Sequence, residues 1–484
     1  MGIIQYVYKG VAWTTISTVA RGGASLLQMA ILTRILPKSD FGVIAIAMLF
    51  IHFTQIFMDL GLSNGILHRQ NIDSNEYSSL FWLNVIMGIV ITSLLSLCSS
   101  FVALIYHEPQ LTKLLPILSL MVLFMSFGSQ HRTVQQKELK FKTIAIIDIS
   151  SSMTMLVLTV VMGLLGYGIY SLAVSNLFGV IVANLSFLYI GLFKDKNVHL
   201  HLNFKETLPC LKIGLFSVGT QVMDFFSREI DTIIISTAFS KEVLGLYSLC
   251  KKLVMSLYSC ITPVVLTVLT PVLSKMQSDR GRLQSIYYEV IESMTILVIP
   301  IFCLVCCFSK SILFFIYGEQ YVSGWMILFL YALIFGVGTT GTTVTSLQIA
   351  TGRTDSGFYW TICRIIINSV VVLVGSYYSV EFMAFLLLIV GYLQSPLAWR
   401  ITIKPLIGGN FLPFFLKTFY PFLHSIVLAI PFLLLFNGTK NFFIIIGGGL
   451  TYLLLYYVTT FFMFKDSFCV SQMKEKYHSF KSIR

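Results

Sequence analysis

Apolar runs of about 20 to 30 residues recur along the whole chain, each bounded by charged residues or by Gly- and Pro-rich turns. A bilayer's hydrocarbon core needs roughly 20 apolar residues in a helix. Fourteen runs meet that length: 11–33, 41–61, 79–105, 114–130, 143–165, 167–191, 211–237, 243–272, 287–316, 322–349, 356–379, 380–402, 413–436 and 441–464. The pattern predicts an all-α polytopic membrane protein with about 14 transmembrane helices. One run departs from the rest: QVMDFFSREIDTIII, 221–235, places Asp224, Arg228, Glu229 and Asp231 inside an expected span.

Composition agrees with the pattern. The 484 residues are 56% hydrophobic and 11% charged, where soluble domains carry about 25% charge. The short start MGIIQYVYKG has no small-residue cleavage site, so the first run is expected to be a retained span. Sorting the 33 Lys and Arg by alternate loops leaves six on the odd-numbered side: Arg34, Lys38, Lys113, Lys241, Lys310 and Lys440. Most of the others fall on the N-terminal side, which predicts that both termini are cytoplasmic. The net charge of +12 is then an orientation signal, and no nucleic-acid partner is expected.

No nucleotide-binding or hydrolase signature stands out, and the odd-numbered loops are too short to fold as a catalytic domain. The chain is therefore expected not to be an enzyme and to bind no cofactor. Cys303, Cys306 and Cys307 lie in IPIFCLVCCF, an apolar helix, and are expected to pack there without a metal.

Sliding the chain by 203 residues sets ILTRILPKSDFGV (31–43) on IISTAFSKEVLGL (234–246), matching Lys38 with Lys241 and Gly42 with Gly245. Span 1 then falls on span 7. Two six-helix lobes of like topology follow, 1–200 and 201–405, with a C-terminal helix pair and a short cytoplasmic tail at 406–484.

A helical wheel gathers Ser217, Thr220, Gln221, Asp224, Ser227, Arg228 and Asp231 on one stripe of span 7, with Glu229 off it. The spacings allow both Asp224 and Asp231 to reach Arg228. Span 1 carries Thr14, Ser17, Thr18, Arg21, Ser25 and Gln28 on one face. Arg21 and Asp224 each lie about 18 Å into the membrane, at equivalent positions of the repeat. Lys251 and Lys252 enter from the other side in span 8. Arg21, Lys251 and Lys252 have no evident local acid, so this set of midplane charges has a surplus of cations. Such cations line hydrated cavities facing anions; the alternative is a lock of buried ion pairs. Asp59, Asp148 and Arg364 sit nearer the span ends, as contacts at a pathway mouth or as interfacial anchors. Span 10 holds GVGTTGTTVTSLQ, 336–348, suited to close helix packing or to lining a sugar path.

Four stretches carry a family resemblance: DLGLSNGILHRQNIDSNEYSSLFWLNV (59–85), QHRTVQQKELKFKTIAI (130–146), FSREIDTIIISTAFSKEVLGLYSLCKKLV (226–254) and LTPVLSKMQSD (269–279). In order and spacing the chain resembles the polysaccharide transporters of the multidrug/oligosaccharidyl-lipid/polysaccharide exporter superfamily, of the colanic-acid and teichuronic-acid type. The resemblance implies two six-helix lobes around a central cavity and alternating access in a bacterial cytoplasmic membrane. Its implied substrate is an undecaprenyl-pyrophosphate-linked oligosaccharide, with membrane lipid, a polysaccharide polymerase and chain-length proteins as partners. A pyrophosphate suits a cavity of arginine and lysine: Arg21, Arg228, Lys251 and Lys252 are the expected contacts, with Asp224 and Asp231 orienting Arg228. No sodium site is evident from side chains, and H+ or Na+ coupling stays open. So do an ion-coupled drug antiporter on the same scaffold, a glycan polymerase or ligase, and a non-transporting scaffold of a glycan-assembly complex.

Overall fold

The computed structural model describes residues 3–69, 72–195, 198–274, 276, 279–353 and 355–464; the expected cytoplasmic tail from 465 lies outside them. Their contacts form two compact units, up to Leu249 and from Cys250 onward. The first contains α1 (Ile3–Leu32), α2 (Lys38–Asp59), the short α3 (Leu62–His68), α4 (Ser74–Ile105), α5 (Leu111–Lys137), α6 (Phe141–Leu164), α7 (Tyr170–Tyr189), α8 (Phe204–Ala238) and the start of α9 (Lys241–Ser274). The second contains the rest of α9, then α10 (Arg280–Cys307), α11 (Ser309–Ile316), α12 (Trp325–Thr351), α13 (Asp355–Ser376), α14 (Val380–Leu393), the short α15 (Ser395–Ala398) and α16 (Lys404–Ile407), α17 (Phe411–Phe436) and α18 (Phe442–Met463).

Among the described residues, ten helices are long and apolar enough to cross a membrane, or eleven if the bent pair Val380–Leu393 and Ser395–Ile407 is one span. The chain is a helical polytopic membrane protein, as expected. Three more long helices, α1, α8 and α9, are those that hold Arg21, the cluster from Asp224 to Asp231, and Lys251 with Lys252.

In the first unit α1 and α6 lie side by side and parallel. Their pairing climbs from Gly10 against Phe141, through Lys142 over the Trp13 ring, to Gln28 donating to Thr159 at 2.8 Å. Gln28, 1% exposed, also donates to Ser175 of α7 at 3.0 Å. Burying polar groups this way is tolerable because each finds a partner. Small residues bring other helices close: at Gly128 of α5 a Cβ would lie 2.6 Å from the Cα of Asn184 on α7.

α8 turns Val218, Val222, Phe225 and Ile233 onto Leu49, Phe53 and Ile56 of α2. The 3.6-residue period thus buries one stripe of α8 and leaves its polar stripe away from α2. The two turns that a 203-residue offset aligns also pack against each other. A Cβ at Gly42 would lie 2.2 Å from the Lys241 carbonyl oxygen, and one at Gly245 would lie 1.9 Å from that of Lys38.

One boundary needs correction. The polar stretch QHRTVQQ, which falls largely in the expected loop between the spans 114–130 and 143–165, is helical, because α5 runs on to Lys137. Tertiary partners support it there: Gln130 donates to the Leu80 carbonyl at 2.8 Å, and His131 meets the Tyr77 hydroxyl at 2.9 Å. Hydropathy does not register such support.

The second unit is built on α10, whose Leu283, Tyr287 and Ile291 meet Leu347, Trp399, Ile403 and Phe414. Cys303, Cys306 and Cys307 are buried free thiols; Cys306 donates to the Phe329 carbonyl and Cys307 to that of Ala429, each at 3.5 Å. They pack helices together, the role expected of them. In α12 the hydroxyls of Thr339 and Thr343 are buried and return to carbonyls of their own helix. That favours the packing role of the Gly/Thr stretch.

Candidate functional site

An electrostatic cluster in the first unit forms around Asp148 of α6, which is 4% exposed. Burying a carboxylate is costly without partners. Arg132 is such a partner from α5, donating from two guanidinium nitrogens to the two carboxylate oxygens, each at 2.9 Å. This bidentate geometry is the strong form of the pair. Arg132 also lies over the Phe187 ring of α7 at 5.5 Å, a cation–π contact that fixes its plane.

Arg21 approaches the same carboxylate from α1, but differently. One nitrogen lies 3.6 Å from Asp148 Oδ2, and the side chain is 45% exposed. That distance allows Coulomb attraction without a hydrogen bond. The cluster therefore has a fixed arginine, a buried acid and a loosely held, accessible arginine. Two guanidinium groups share one carboxylate, so the cluster keeps one net positive charge.

This corrects one expectation. Arg21 does have an acid, Asp148, on the parallel helix. Asp148 is buried and paired with two arginines. Arg132 was missed, because reading 130–142 as a loop removed it from consideration.

Residues on and beside the polar stripe of α8 find several partners. Asp231, 8% exposed, accepts from the Tyr247 hydroxyl of α9 and from the Thr232 N–H at 2.7 Å. Glu229, set off the stripe, accepts from the Thr232 hydroxyl at 2.9 Å. Asp224 is exposed, and among the described residues it forms no ion pair with Arg228, contrary to the i,i+4 expectation. Arg228 is exposed too. Towards the start of the stripe Ser217 accepts from Asn64 of α3 and from Gln221, the latter at 3.2 Å.

Asp59 also has a local task. It accepts from the Ser63 hydroxyl at 2.6 Å and from the Ser63 N–H at 3.3 Å. It thereby braces the break between α2 and α3, where Leu60 and Gly61 take positive φ. Its carboxylate thus serves as a helix-end brace. In the second unit Lys251 is buried, while Lys252 and Arg364 are partly exposed. Serines on the Lys252 side of α9 are satisfied internally, Ser256 donating to the Lys252 carbonyl at 2.8 Å.

What the first-unit cluster can do chemically is bind an anion. Arg21 has accessible donors, and the low dielectric around a buried pair strengthens the attraction. Among the described residues no group of His, Cys, Asp and Glu is placed to hold a metal.

Residues 31–324, more than half of the chain, match the family described as polysaccharide biosynthesis protein. The lipopolysaccharide biosynthesis protein WzxC of Escherichia coli (strain K12) is 25% identical over 430 residues, 88% of this chain and 87% of that one. The succinoglycan biosynthesis transport protein ExoT of Rhizobium meliloti (strain 1021) is 23% identical over 414 residues, 84% and 83% of the two chains. Among solved structures, the lipid II flippase MurJ in an inward closed conformation matches with a TM-score of 0.74 at 17% identity, covering 93% of this chain and 98% of that one. At that identity the likeness is one of fold.

Proposed function

Because the chain belongs to the polysaccharide biosynthesis protein family, we propose that it is a flippase for lipid-linked oligosaccharides. It moves undecaprenyl-pyrophosphate-linked repeat units from the cytoplasmic to the outer leaflet of a bacterial cytoplasmic membrane by alternating access. The observation that carries this reading is the accessible Arg21 guanidinium beside a carboxylate that Arg132 already satisfies. A pyrophosphate diester offers oxyanions that a guanidinium binds through paired hydrogen bonds. The exposed Arg228 is a second proposed contact. Lys251, Lys252 and Arg364, in the second unit, are separate candidates. The transport named for ExoT supports the same reading.

The working topology is fourteen spans with both termini cytoplasmic, arranged as six-helix repeats at 1–200 and 201–405 with an added pair from 406. A proton or sodium gradient drives the cycle without an organic cofactor, and the product passes to a polysaccharide polymerase with its chain-length proteins.

A deletion strain tests this. It should accumulate the lipid-linked repeat unit on the cytoplasmic side and lose surface polysaccharide, with restoration by the wild-type chain and not by inserted, folded Arg21→Ala. Normal polysaccharide in the deletion strain, with altered drug sensitivity instead, would favour the antiporter.

A further inference from the structure

Asp148 stands where an anionic ligand of Arg21 would compete with it. We propose that Asp148 is a resident counter-anion that competes with the substrate's phosphate for Arg21, and that Arg132 is the positioning residue that makes the competition possible. The inference rests on the flippase reading and deepens it.

The two arginines hold Asp148 unequally. Arg132 makes two hydrogen bonds of 2.9 Å and is braced by Phe187, whereas Arg21 makes one contact of 3.6 Å. When an oxyanion draws Arg21 away, Asp148 keeps its bidentate partner. No buried charge is stranded, which is the outcome that makes breaking a buried ion pair costly. Without Arg132 the buried carboxylate would claim Arg21 and withdraw it from the ligand. Arg132 thus governs ligand affinity without touching the ligand. When the ligand departs, Asp148 receives Arg21 again, which limits how tightly the headgroup is retained. A carrier must release what it binds, so a built-in competitor favours turnover over affinity.

The two parts of the idea make opposite predictions for two single variants. Asp148→Asn keeps the shape and removes the competing charge. It should tighten binding of undecaprenyl pyrophosphate by about tenfold, a size of coupling common between contacting charges, while slowing export. Arg132→Ala should weaken binding by a similar factor. The double variant Arg132→Ala/Asp148→Asn should recover wild-type affinity or better, because the claimant for Arg21 is gone. The measurement is titration of undecaprenyl pyrophosphate into the purified full chain in nanodiscs, with undecaprenol as the uncharged control. If Arg21→Ala leaves pyrophosphate binding unchanged, the flippase reading of this cluster fails. If Arg21→Ala weakens binding but Asp148→Asn does not tighten it, the competition fails while the flippase reading stands. Should Arg132→Ala not fold alone, Asp148→Asn still decides the matter. Loss of affinity in the double variant would mark Arg132 as structural only.

Discussion

Gly42 at the start of α2 approaches the carbonyl oxygen of Lys241 so closely that a Cβ there would lie 2.2 Å away. Gly245, 203 residues further on, meets Lys38 in the same manner. Two turns 203 residues apart are thereby packed backbone to backbone, and Lys241 is further tied to Glu108 at the α4–α5 turn. A side chain at either glycine must move a backbone rather than a flexible group.

Gly42→Ala and Gly245→Ala should therefore each destabilise the folded chain. The expected loss is about 1–3 kcal/mol, the usual cost of overpacking. Gly338→Ala on α12, where no atom lies within 4 Å of the added Cβ, should leave stability unchanged or raise it by about 0.5–1 kcal/mol. Thermal unfolding of the three purified variants in one detergent makes the comparison. Equal melting of Gly42→Ala and the wild type would show that the turns are not closed on each other.

Asp59→Ala should weaken the α2–α3 break by about 0.5–2 kcal/mol, as the loss of a helix-end acceptor does. Export at matched protein level should be close to normal, since the carboxylate is engaged with Ser63. Asp59→Asn keeps an acceptor and should be milder. Abolished export by a stable Asp59→Asn protein would return this residue to the pathway.

Acid should release the connector before α8. Glu206 accepts from Ser79 at 2.9 Å and from Asn203 at 3.0 Å, and His201 Nε2 lies 3.1 Å away. The His201 contact foremost, with the other hydrogen bonds, lowers its carboxyl pKa from the ordinary 4.5. A depressed carboxyl pKa stabilises the folded form above the ordinary range, and that contribution disappears as pH falls through the lowered value. The connector should stay docked through neutral and mildly acid pH and detach only below the ordinary carboxyl range. Trp82 reports this, because its indole N–H donates to the His199 carbonyl at 2.9 Å. Its fluorescence, with the other four tryptophans replaced by Phe, should show the transition. Glu206→Gln should remove the pH dependence; an unchanged profile would place the acid sensitivity elsewhere.

The sequence alone determined the helical membrane class, which helices carry ionisable groups, and the packing role of the α10 cysteines. These follow from hydropathy and helical period, which are local properties. The wheel gathered the polar stripe of α8, but the residues that α2 covers, Val218, Val222, Phe225 and Ile233, were set by packing. Only the tertiary structure decided the partners. Arg132 and Asp148 are joined across a turn after a helix that continues through a polar stretch, and Arg21 meets that same acid from a parallel helix far away in sequence. On α8 the Tyr247 hydroxyl of α9, which no local spacing shows, supplies one of the hydrogen bonds of Asp231. Periodicity fixes the face a residue occupies. Which group satisfies a buried charge depends on which neighbouring helix brings a donor to it, and that is set when the helices pack.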